Sequence, residues 1–173
     1  MERRTKTYIA GDWTGDKDLI DQLYFWNSSK HWSLHFIDAH ELTQARDTSL
    51  ACSIKRSLVE RLNVSKTFVL IVGKETNSLT KGGCQYCKGY NSWTQRCAHG
   101  NWIDYRSFIQ FECEKAVRDN MKIVVIYNFA NVRKELCPSV LQSKGTHINA
   151  YFKSLDGNYY WDYQGINNAI AGD

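Results

Sequence analysis

Short apolar runs alternate along the chain with longer segments of helical periodicity. Four runs have the length and composition of β-strands, and they cover residues 7–11, 33–38, 67–73 and 122–128. The third and fourth runs are almost continuously apolar and rich in valine and isoleucine, which is typical of parallel strands buried on both faces. A fifth run, at 147–152, alternates polar and apolar residues and predicts an edge strand.

Helical patterns fill the intervals between these runs. Apolar residues recur every three or four positions over residues 16–30, 49–62 and 105–119, and shorter helices are predicted at 131–136 and 161–171. Because the strands alternate with helices, the pattern predicts an α/β fold with a doubly wound parallel sheet of about five strands.

The spacing of the predicted strands indicates an insertion. The third and fourth strands begin 55 residues apart, whereas the other neighbours along the chain begin 25 to 34 residues apart. The additional length falls at about residues 74–104. We therefore expect one domain over residues 1–173 that carries an inserted loop.

Composition and charge exclude several classes of protein. The 173 residues include 22 Lys and Arg against 18 Asp and Glu, a net charge of +4 without a basic block, so nucleic acid is not the expected partner. No apolar run approaches the roughly 18 residues that span a bilayer, and the first residues lack the apolar stretch of a signal peptide. We expect a cytoplasmic protein without a membrane partner, in which cysteines stay reduced.

Polar and aromatic residues follow the first two predicted strands, at the edge where open α/β sheets bind ligands. Gly11, Asp12 and Trp13 follow the first strand, and Asp38 and His40 lie at the end of the second. The sequence GDWTGD fits neither the dinucleotide fingerprint nor the P-loop. Acidic residues at two strand ends also occur in receiver domains and in acidic Mg²⁺ sites. An Asp that caps a turn, and a His that is simply a satisfied polar group, remain structural alternatives.

Glu112 has an unusual position in the third predicted helix. It lies four residues after Phe108 and three after Ile109, so it borders the apolar stripe of the helix. A carboxylate there is partly desolvated, which raises its pKa unless a cation pairs with it. The alternative is a glutamate at the helix edge that is paired with a nearby Lys or Arg.

Five segments together resemble the TIR-like domains of the ThsB type, from bacterial Thoeris anti-phage defence. They are KTYIAGDWTGDKD (6–18), FIDAHELTQARD (36–47), IKRSLVERL (54–62), FVLIVGKETN (68–77) and FIQFECEKA (108–116). The resemblance implies a flavodoxin-like TIR fold and an enzyme like an NAD⁺ glycohydrolase or ADP-ribosyl cyclase. It implies that NAD⁺ is cleaved to nicotinamide and an ADP-ribose-derived signal, cyclic or conjugated, that reaches a separate effector. A phage-derived trigger and a homo-oligomer are compatible with it.

The resemblance also assigns candidate residues. The family motif resembles Ser-x-Trp-Val-x-Trp-Glu, and this chain has Arg106 at the Ser position, Phe108 and Phe111 at the Trp positions, and Glu112 at the catalytic Glu. The Arg departs from the motif and removes a hydroxyl that could contact the substrate. The motif segments further supply candidate substrate-binding residues, namely Gly11, Asp12, Trp13, Asp38, His40 and Phe108.

The inserted loop carries a cluster of cysteines. Cys84-x₂-Cys87 is followed by Cys97-x-His99, a ligand set that fits a structural zinc site with three thiolates and one imidazole. The family resemblance does not require this metal, so the prediction depends on spacing alone. A cluster of reduced thiols exposed at the surface remains the alternative.

Aromatic and basic residues alternate in the same loop. Such a pattern can bind single-stranded nucleic acid, but we favour a small core that packs over the cysteines. The residues are Tyr86, Tyr90, Trp93 and Trp102 with Lys81, Lys88 and Arg96. The sequence thus leaves three functions open: an NAD⁺-consuming signalling enzyme, a non-enzymatic TIR-like scaffold, and a ligand- or nucleic-acid-binding module built on the loop.

Overall fold

A parallel sheet with helices on both faces forms the centre of the molecule. The computed structural model describes residues 4–32, 34–39 and 50–172. Their helices and strands are β1 (Lys6–Ala10), α1 (Lys17–Ser28), α2 (Ala51–Asn63), β2 (Ser65–Val72), β3 (Tyr90–Asn91), β4 (Arg96–Cys97), α3 (Phe108–Arg118), β5 (Lys122–Tyr127), β6 (Thr146–Asn149), β7 (Tyr151–Lys153), β8 (Tyr159–Trp161) and α4 (Tyr163–Ala171).

The four strands of the central sheet run in the order β1-β2-β5-β6, and all of their pairings are parallel. Side chains alternate across the sheet, so Tyr8 and Phe68 pack with α2 and α3, while Ile9 and Val69 pack with α1 and α4. Each fully buried aliphatic side chain contributes about 1.5–3 kcal/mol. The predicted α/β fold is confirmed, and it is flavodoxin-like.

The predicted strand at 33–38 does not form as a strand in residues 34–39. This segment lies beside the free edge of β1 but pairs with it only through a bridge between Thr7 and Asp38. Two features of this segment prevent a ladder, one in its backbone and one from the helix α1. His35 has a positive φ of 52°, and the Asn27 side chain bonds both the N–H and the C=O of Phe36, at 3.0 and 2.9 Å.

The predicted edge strand at 147–152 is divided in two. Its first part is β6, which pairs with β5, and its last part belongs to β7, which forms a separate antiparallel hairpin with β8. The two parts separate at Ala150, whose N–H donates to the carbonyl of Tyr127 at the end of β5, at 2.8 Å. The predicted short helix at 131–136 is only a single 3₁₀ turn, Lys134–Leu136.

The inserted loop closes on itself at its base. The Cys84 N–H donates to the Asp104 carbonyl and the Phe108 N–H donates to the Lys81 carbonyl, both at 2.9 Å. Regular structure within the loop is slight, because its strands β3 and β4 have two residues each. Lys55 of α2 ties the base to the domain through an ion pair with Asp104, at 3.3 Å.

In the described ranges, none of the helices has both the length and the apolar character that a membrane span requires.

Candidate active site

A cleft of about 270 Å³ opens beside the carboxyl end of β1, between α2 and α3. Five of the residues predicted for the site line it, and they come from the turn that follows β1 and from α3. These five are Gly11, Asp12, Trp13, Phe108 and Glu112. Further lining residues come from β1, α2 and the base of the insertion, and among them are Tyr8, Ile54, Leu58, Arg61 and Lys81.

The start of α3 fixes the position of Glu112. Ser107 caps the helix in a reciprocal arrangement, in which its hydroxyl accepts the Gln110 N–H and the Gln110 side chain accepts the Ser107 N–H. Ile109 and Cys113 then pack into the core, and Glu112 on the same side is only 6% exposed. The predicted burial of Glu112 is confirmed.

Tyr8 is the hydrogen-bond partner of Glu112. The Tyr8 hydroxyl donates to Glu112 Oε1, and both residues line the cleft. The alternative of a helix-edge glutamate paired mainly with a Lys or Arg does not describe this arrangement, although the Arg61 charge is close enough to act on the carboxylate. The Tyr8 ring is fixed in turn by stacking on Phe68, with 5.8 Å between ring centroids.

The electrostatics of this pair place a titratable carboxyl group in the cleft. Burial raises the pKa of Glu112 to about 7, although the Tyr8 hydrogen bond and the Arg61 charge both favour the ionised form. Burial, followed by the nearby Glu112 charge, raises the pKa of Tyr8 well above its ordinary value. Tyr8 therefore stays protonated and acts as a donor, while Glu112 changes its charge close to neutral pH.

The remaining predicted residues of the cleft form its walls. Phe108 packs against Gly82, whose φ of +105° favours glycine, and a Cβ there would lie 2.5 Å from the Phe108 ring. Trp13 is 47% exposed at the mouth, with its ring 6.1 Å from that of Tyr24. Both rings offer an apolar face to a planar ligand.

Asp38 differs from the prediction that it lines the same crevice. Asp38 is not among the residues that line the cleft, and it accepts a hydrogen bond of 2.7 Å from the Tyr24 hydroxyl. The cause is the irregular path of residues 34–39, which meets β1 at Thr7 rather than beside its carboxyl end. His40 lies outside the described residues.

Arg106 and Phe111 face the insertion. The Arg106 guanidinium pairs with Asp104 at 2.8 Å and with Glu114 at 2.7 Å, and it lies 5.0 Å from the centre of the Phe111 ring. Phe111 is thereby covered on the loop side and does not line the cleft. The neighbouring Ser107 hydroxyl is occupied as the helix cap.

Sequence reasoning missed Tyr8, Arg61 and Lys81. A signal was present for two of them. A tyrosine inside a buried strand needs a partner for its hydroxyl, and Arg61 lies three residues after Leu58 on the apolar face of α2. Lys81 gave no such signal, because the folded base of the insertion brings it to the cleft.

Comparison with known families bears on the first half of the chain. Residues 8–81 match the family model described as Thoeris protein ThsB, TIR-like domain. Over these residues the chain is similar to a ThsB-type TIR-like domain. The matched segment includes Tyr8, Asp12 and Arg61, whereas Phe108 and Glu112 lie beyond it. No curated protein matched the chain significantly.

A second cavity, of about 340 Å³, adjoins the first at Asp12. It follows the carboxyl ends of β2 and β5, and Asp16, Lys74 and Asn128 line it. Burial raises the pKa of Asp16, against the hydrogen bond of 3.0 Å from the Asn128 amide. The two cavities together occupy the edge of the sheet where the sequence predicts the ligand.

The cysteines of the insertion gather around a third, much smaller cavity. Cys84, Cys87 and Cys97 line it together with Cys52 of α2. His99, the fourth ligand predicted from spacing, is not among the lining residues, and its ring lies beside Gly89. As they stand, the described side chains contain no group of three or more His, Cys, Asp or Glu that is positioned to hold a metal ion.

The predicted aromatic core over the cysteines is wrong for its two tryptophans. Trp93 is 97% exposed and Trp102 is 95% exposed, and Tyr86 is also mostly exposed. Tyr90 packs instead against Tyr105 at the base of the loop, with 6.3 Å between ring centroids. Two-residue strands cannot enclose side chains of this size, which leaves the tryptophans at the surface.

Proposed function

We propose that this TIR-like domain cleaves the bond between nicotinamide and ribose in NAD⁺ and makes an ADP-ribose-derived signal, cyclic or conjugated, for a separate effector in anti-phage defence. The observation that carries the proposal is the Glu112 carboxyl group, buried in the cleft and held by Tyr8. The ThsB-type segment at residues 8–81 supports the same conclusion.

The proposed reaction requires one carboxylate. When the glycosidic bond breaks, its electron pair goes to the pyridinium nitrogen, so nicotinamide leaves as a neutral molecule without a proton donor. Positive charge develops on the ribose ring, and an ionised Glu112 stabilises it or holds a ribose hydroxyl. Glycosidases that expel an oxygen leaving group need a second carboxyl group to protonate it. The attacking nucleophile, water or another group, then bonds to the ribose carbon and releases its proton.

Charge in the cleft suits a cationic ring joined to an anionic linker. The pyridinium of NAD⁺ beside Glu112 favours the ionised carboxylate, which lowers the high pKa that burial causes. Arg61 and Lys81 line the same cleft and supply positive charge for the pyrophosphate. Trp13 and Phe108 provide aromatic surface for a planar ring.

The size of the site favours a ligand with two parts. The cleft alone is near the lower end of the volumes known for small-molecule pockets, which begin at about 300 Å³. The second cavity adjoins it at Asp12 and is larger. One nucleotide half in each cavity would place the reacting ribose on the Glu112 side, with Arg61 and Lys81 of the first cavity available to the pyrophosphate.

The direct test is nicotinamide release from NAD⁺ by the purified chain, together with mass spectrometry of small molecules from cells that express it. Cells are compared with and without phage challenge, because an enzyme of this type can be silent until it is triggered. We expect NAD⁺ to fall and an ADP-ribose derivative to accumulate on challenge. Unchanged NAD⁺ and no new nucleotide in challenged cells would favour the non-enzymatic scaffold.

Changing Tyr8 to phenylalanine should shift the pH dependence of the reaction. In the wild type, kcat/KM should rise as pH increases through about 7, because Glu112 must lose its proton. The Tyr8 hydroxyl favours the ionised form, so its removal should move this midpoint upward by about one pH unit. The measurement is the pH profile of kcat/KM between pH 5 and about pH 9.5.

The Tyr8→Phe variant keeps the ring that stacks on Phe68, so its packing is preserved. At pH 7 its rate should be about fivefold lower, and most of the rate should return in alkaline buffer. A loss that is the same at every pH would show that Tyr8 acts only through packing, and would contradict its role in setting the charge of Glu112.

The exposed tryptophans of the insertion favour a second candidate function. Trp93 and Trp102 project from a loop that also carries Lys88 and Arg96, and such a surface can stack on unpaired bases. Binding of this kind depends strongly on salt. An affinity for single-stranded nucleic acid that falls steeply with salt, and disappears in Trp93→Ala, would support a binding module in place of an enzyme.

A further inference from the structure

Four of the six cysteines meet at one small cavity between α2 and the insertion. Cys84 and Cys87 belong to the turn that opens the loop, and Cys97 to strand β4. Cys52 comes from the first turn of α2, more than thirty residues earlier in the chain. None of the four takes part in a disulfide.

The cavity has room for a single small ion. Its volume is about 10 Å³, close to the minimum that holds one water molecule. Its other lining residues include Gly89, Tyr90 and Ile103, which carry no ionisable group that would compete with thiolates for a cation near neutral pH.

Hydrogen-bond donors are directed to three of the four sulfur atoms. The Asp104 N–H donates to Cys84 Sγ at 3.1 Å, and the Asn101 side-chain amide donates to Cys52 Sγ at 3.3 Å. The backbone N–H groups of His99 and Asn101 are directed to the Cys97 sulfur. Donors of this kind favour a negatively charged sulfur over a neutral thiol, and they are the outer groups that metal-bound thiolates require.

We propose that one Zn²⁺ ion binds between α2 and the insertion through four thiolates, those of Cys52, Cys84, Cys87 and Cys97. Four sulfur ligands complete the closed tetrahedron of a structural site. The fourth ligand is Cys52, in place of the His99 that sequence spacing predicts. On binding, the four S–H groups release their protons to solvent, and the sulfurs turn about their Cα–Cβ bonds toward the cavity.

The metal would join two parts that together shape the cleft. Cys52 lies two residues before Ile54 and six before Leu58 in α2, and the base of the insertion supplies Lys81 to the same cleft. The insertion has few backbone pairs and two fully exposed tryptophans, so it lacks a core of its own. A zinc ion supplies that missing stabilisation and fixes the loop against the helix. This proposal is independent of NAD⁺ cleavage.

The experiment uses the whole chain, purified under reducing conditions without chelator, and measures zinc by elemental mass spectrometry. We expect one zinc ion per chain. The reduced apo chain is then titrated with Zn²⁺ against a chromophoric chelator, in the wild type and in two matched variants, Cys52→Ser and His99→Ala.

Cys52→Ser should bind zinc more weakly by more than 100-fold, because loss of an outer-shell partner alone costs about 10- to 100-fold. His99→Ala should keep the wild-type affinity. No uptake by the wild type overturns the site. If His99→Ala loses zinc binding and Cys52→Ser retains it, the assignment of Cys52 as a ligand is overturned.

A second measurement covers the case in which Cys52→Ser fails to fold. Co²⁺ is bound to the wild-type chain, and the intensity of the sulfur-to-cobalt charge-transfer band reports the number of thiolate ligands. Four thiolates support the proposal. A spectrum with three thiolates and one nitrogen would restore His99 as a ligand and contradict it.

Discussion

Replacing Glu112 by glutamine should lower NAD⁺ cleavage by at least about 1000-fold. Glutamine keeps the shape of the side chain and can still accept the Tyr8 hydrogen bond, so the variant removes only the negative charge. That charge acts in a buried site on a ribose that becomes positive in the transition state. Removing a single neutral donor from a comparable site already costs about 100- to 1000-fold. The measurement is kcat/KM for nicotinamide release.

Glu114→Gln is the matched control for this variant. Glu114 lies on the same helix two residues later, and its side chain is 47% exposed and paired with Arg106. Its removal should leave kcat/KM within about twofold, since exposed ion pairs contribute little. If Glu112→Gln retained more than a tenth of the wild-type activity, Glu112 would not be the catalytic carboxylate.

The stability of Glu112→Gln provides the test that the fold survives. The folded pKa of Glu112 is about 7, above its ordinary value of 4.5, so the folded protein binds an additional proton between these pH values. The wild type therefore loses stability as pH rises from 4.5 to 7, by at most about 3 kcal/mol. Glu112→Gln has no carboxyl group at this position and keeps its stability over this pH range. Urea denaturation at pH 8 should therefore give a higher free energy of unfolding for the variant than for the wild type. Near pH 4.5 the two should be equal.

The sequence was informative about Glu112 because the signal is local. The period of α3 places Phe108, Ile109 and Glu112 on neighbouring rows, and a helix that packs on a sheet must bury that side. The long apolar runs that became β2 and β5 were equally clear, because only a strand covered on both faces tolerates so many aliphatic residues.

The errors in the prediction come from contacts that are distant in sequence. The run at 33–38 has the composition of a strand, but the side chain of Asn27 satisfies the backbone groups of Phe36 that a ladder would use. Cys52 gives no signal of its own, since a single cysteine in an amphipathic helix is ordinary. It meets the loop cysteines only because α2 packs beside the insertion.

Replacing Lys55 by methionine should destabilise the protein by about 2–3 kcal/mol and loosen the insertion. The Lys55 ammonium group, with its side chain 8% exposed, donates to the Arg106 carbonyl at 2.7 Å and pairs with Asp104 at 3.3 Å. Methionine keeps the apolar stem but removes the Lys55 donor from the Arg106 carbonyl and one of the two cations that pair with Asp104. Breaking a buried pair costs about 3–5 kcal/mol. We expect a smaller cost here because Asp104 keeps its ion pair with Arg106.

Lys17→Met serves as the control, because the ion pair of Lys17 with Asp21 is exposed and should contribute less than about 0.5 kcal/mol.

The pH dependence of stability separates the effect of Lys55→Met from that of Glu112→Gln. Burial of Asp104 opposes ionisation, but bonds from Arg106 and the charge of Lys55 outweigh it and hold the Asp104 pKa at about 2.

A carboxyl group whose pKa is lowered by folding stabilises the folded protein at every pH above its ordinary pKa. This stabilisation is lost only as pH falls toward 2. The difference between Lys55→Met and the wild type should therefore be the same at pH 5 and pH 8, whereas the Glu112→Gln difference should grow over that range. Proteolysis should cleave the insertion of Lys55→Met faster than that of the wild type. Equal stability and equal cleavage would show that the base of the insertion is held by its backbone bonds alone.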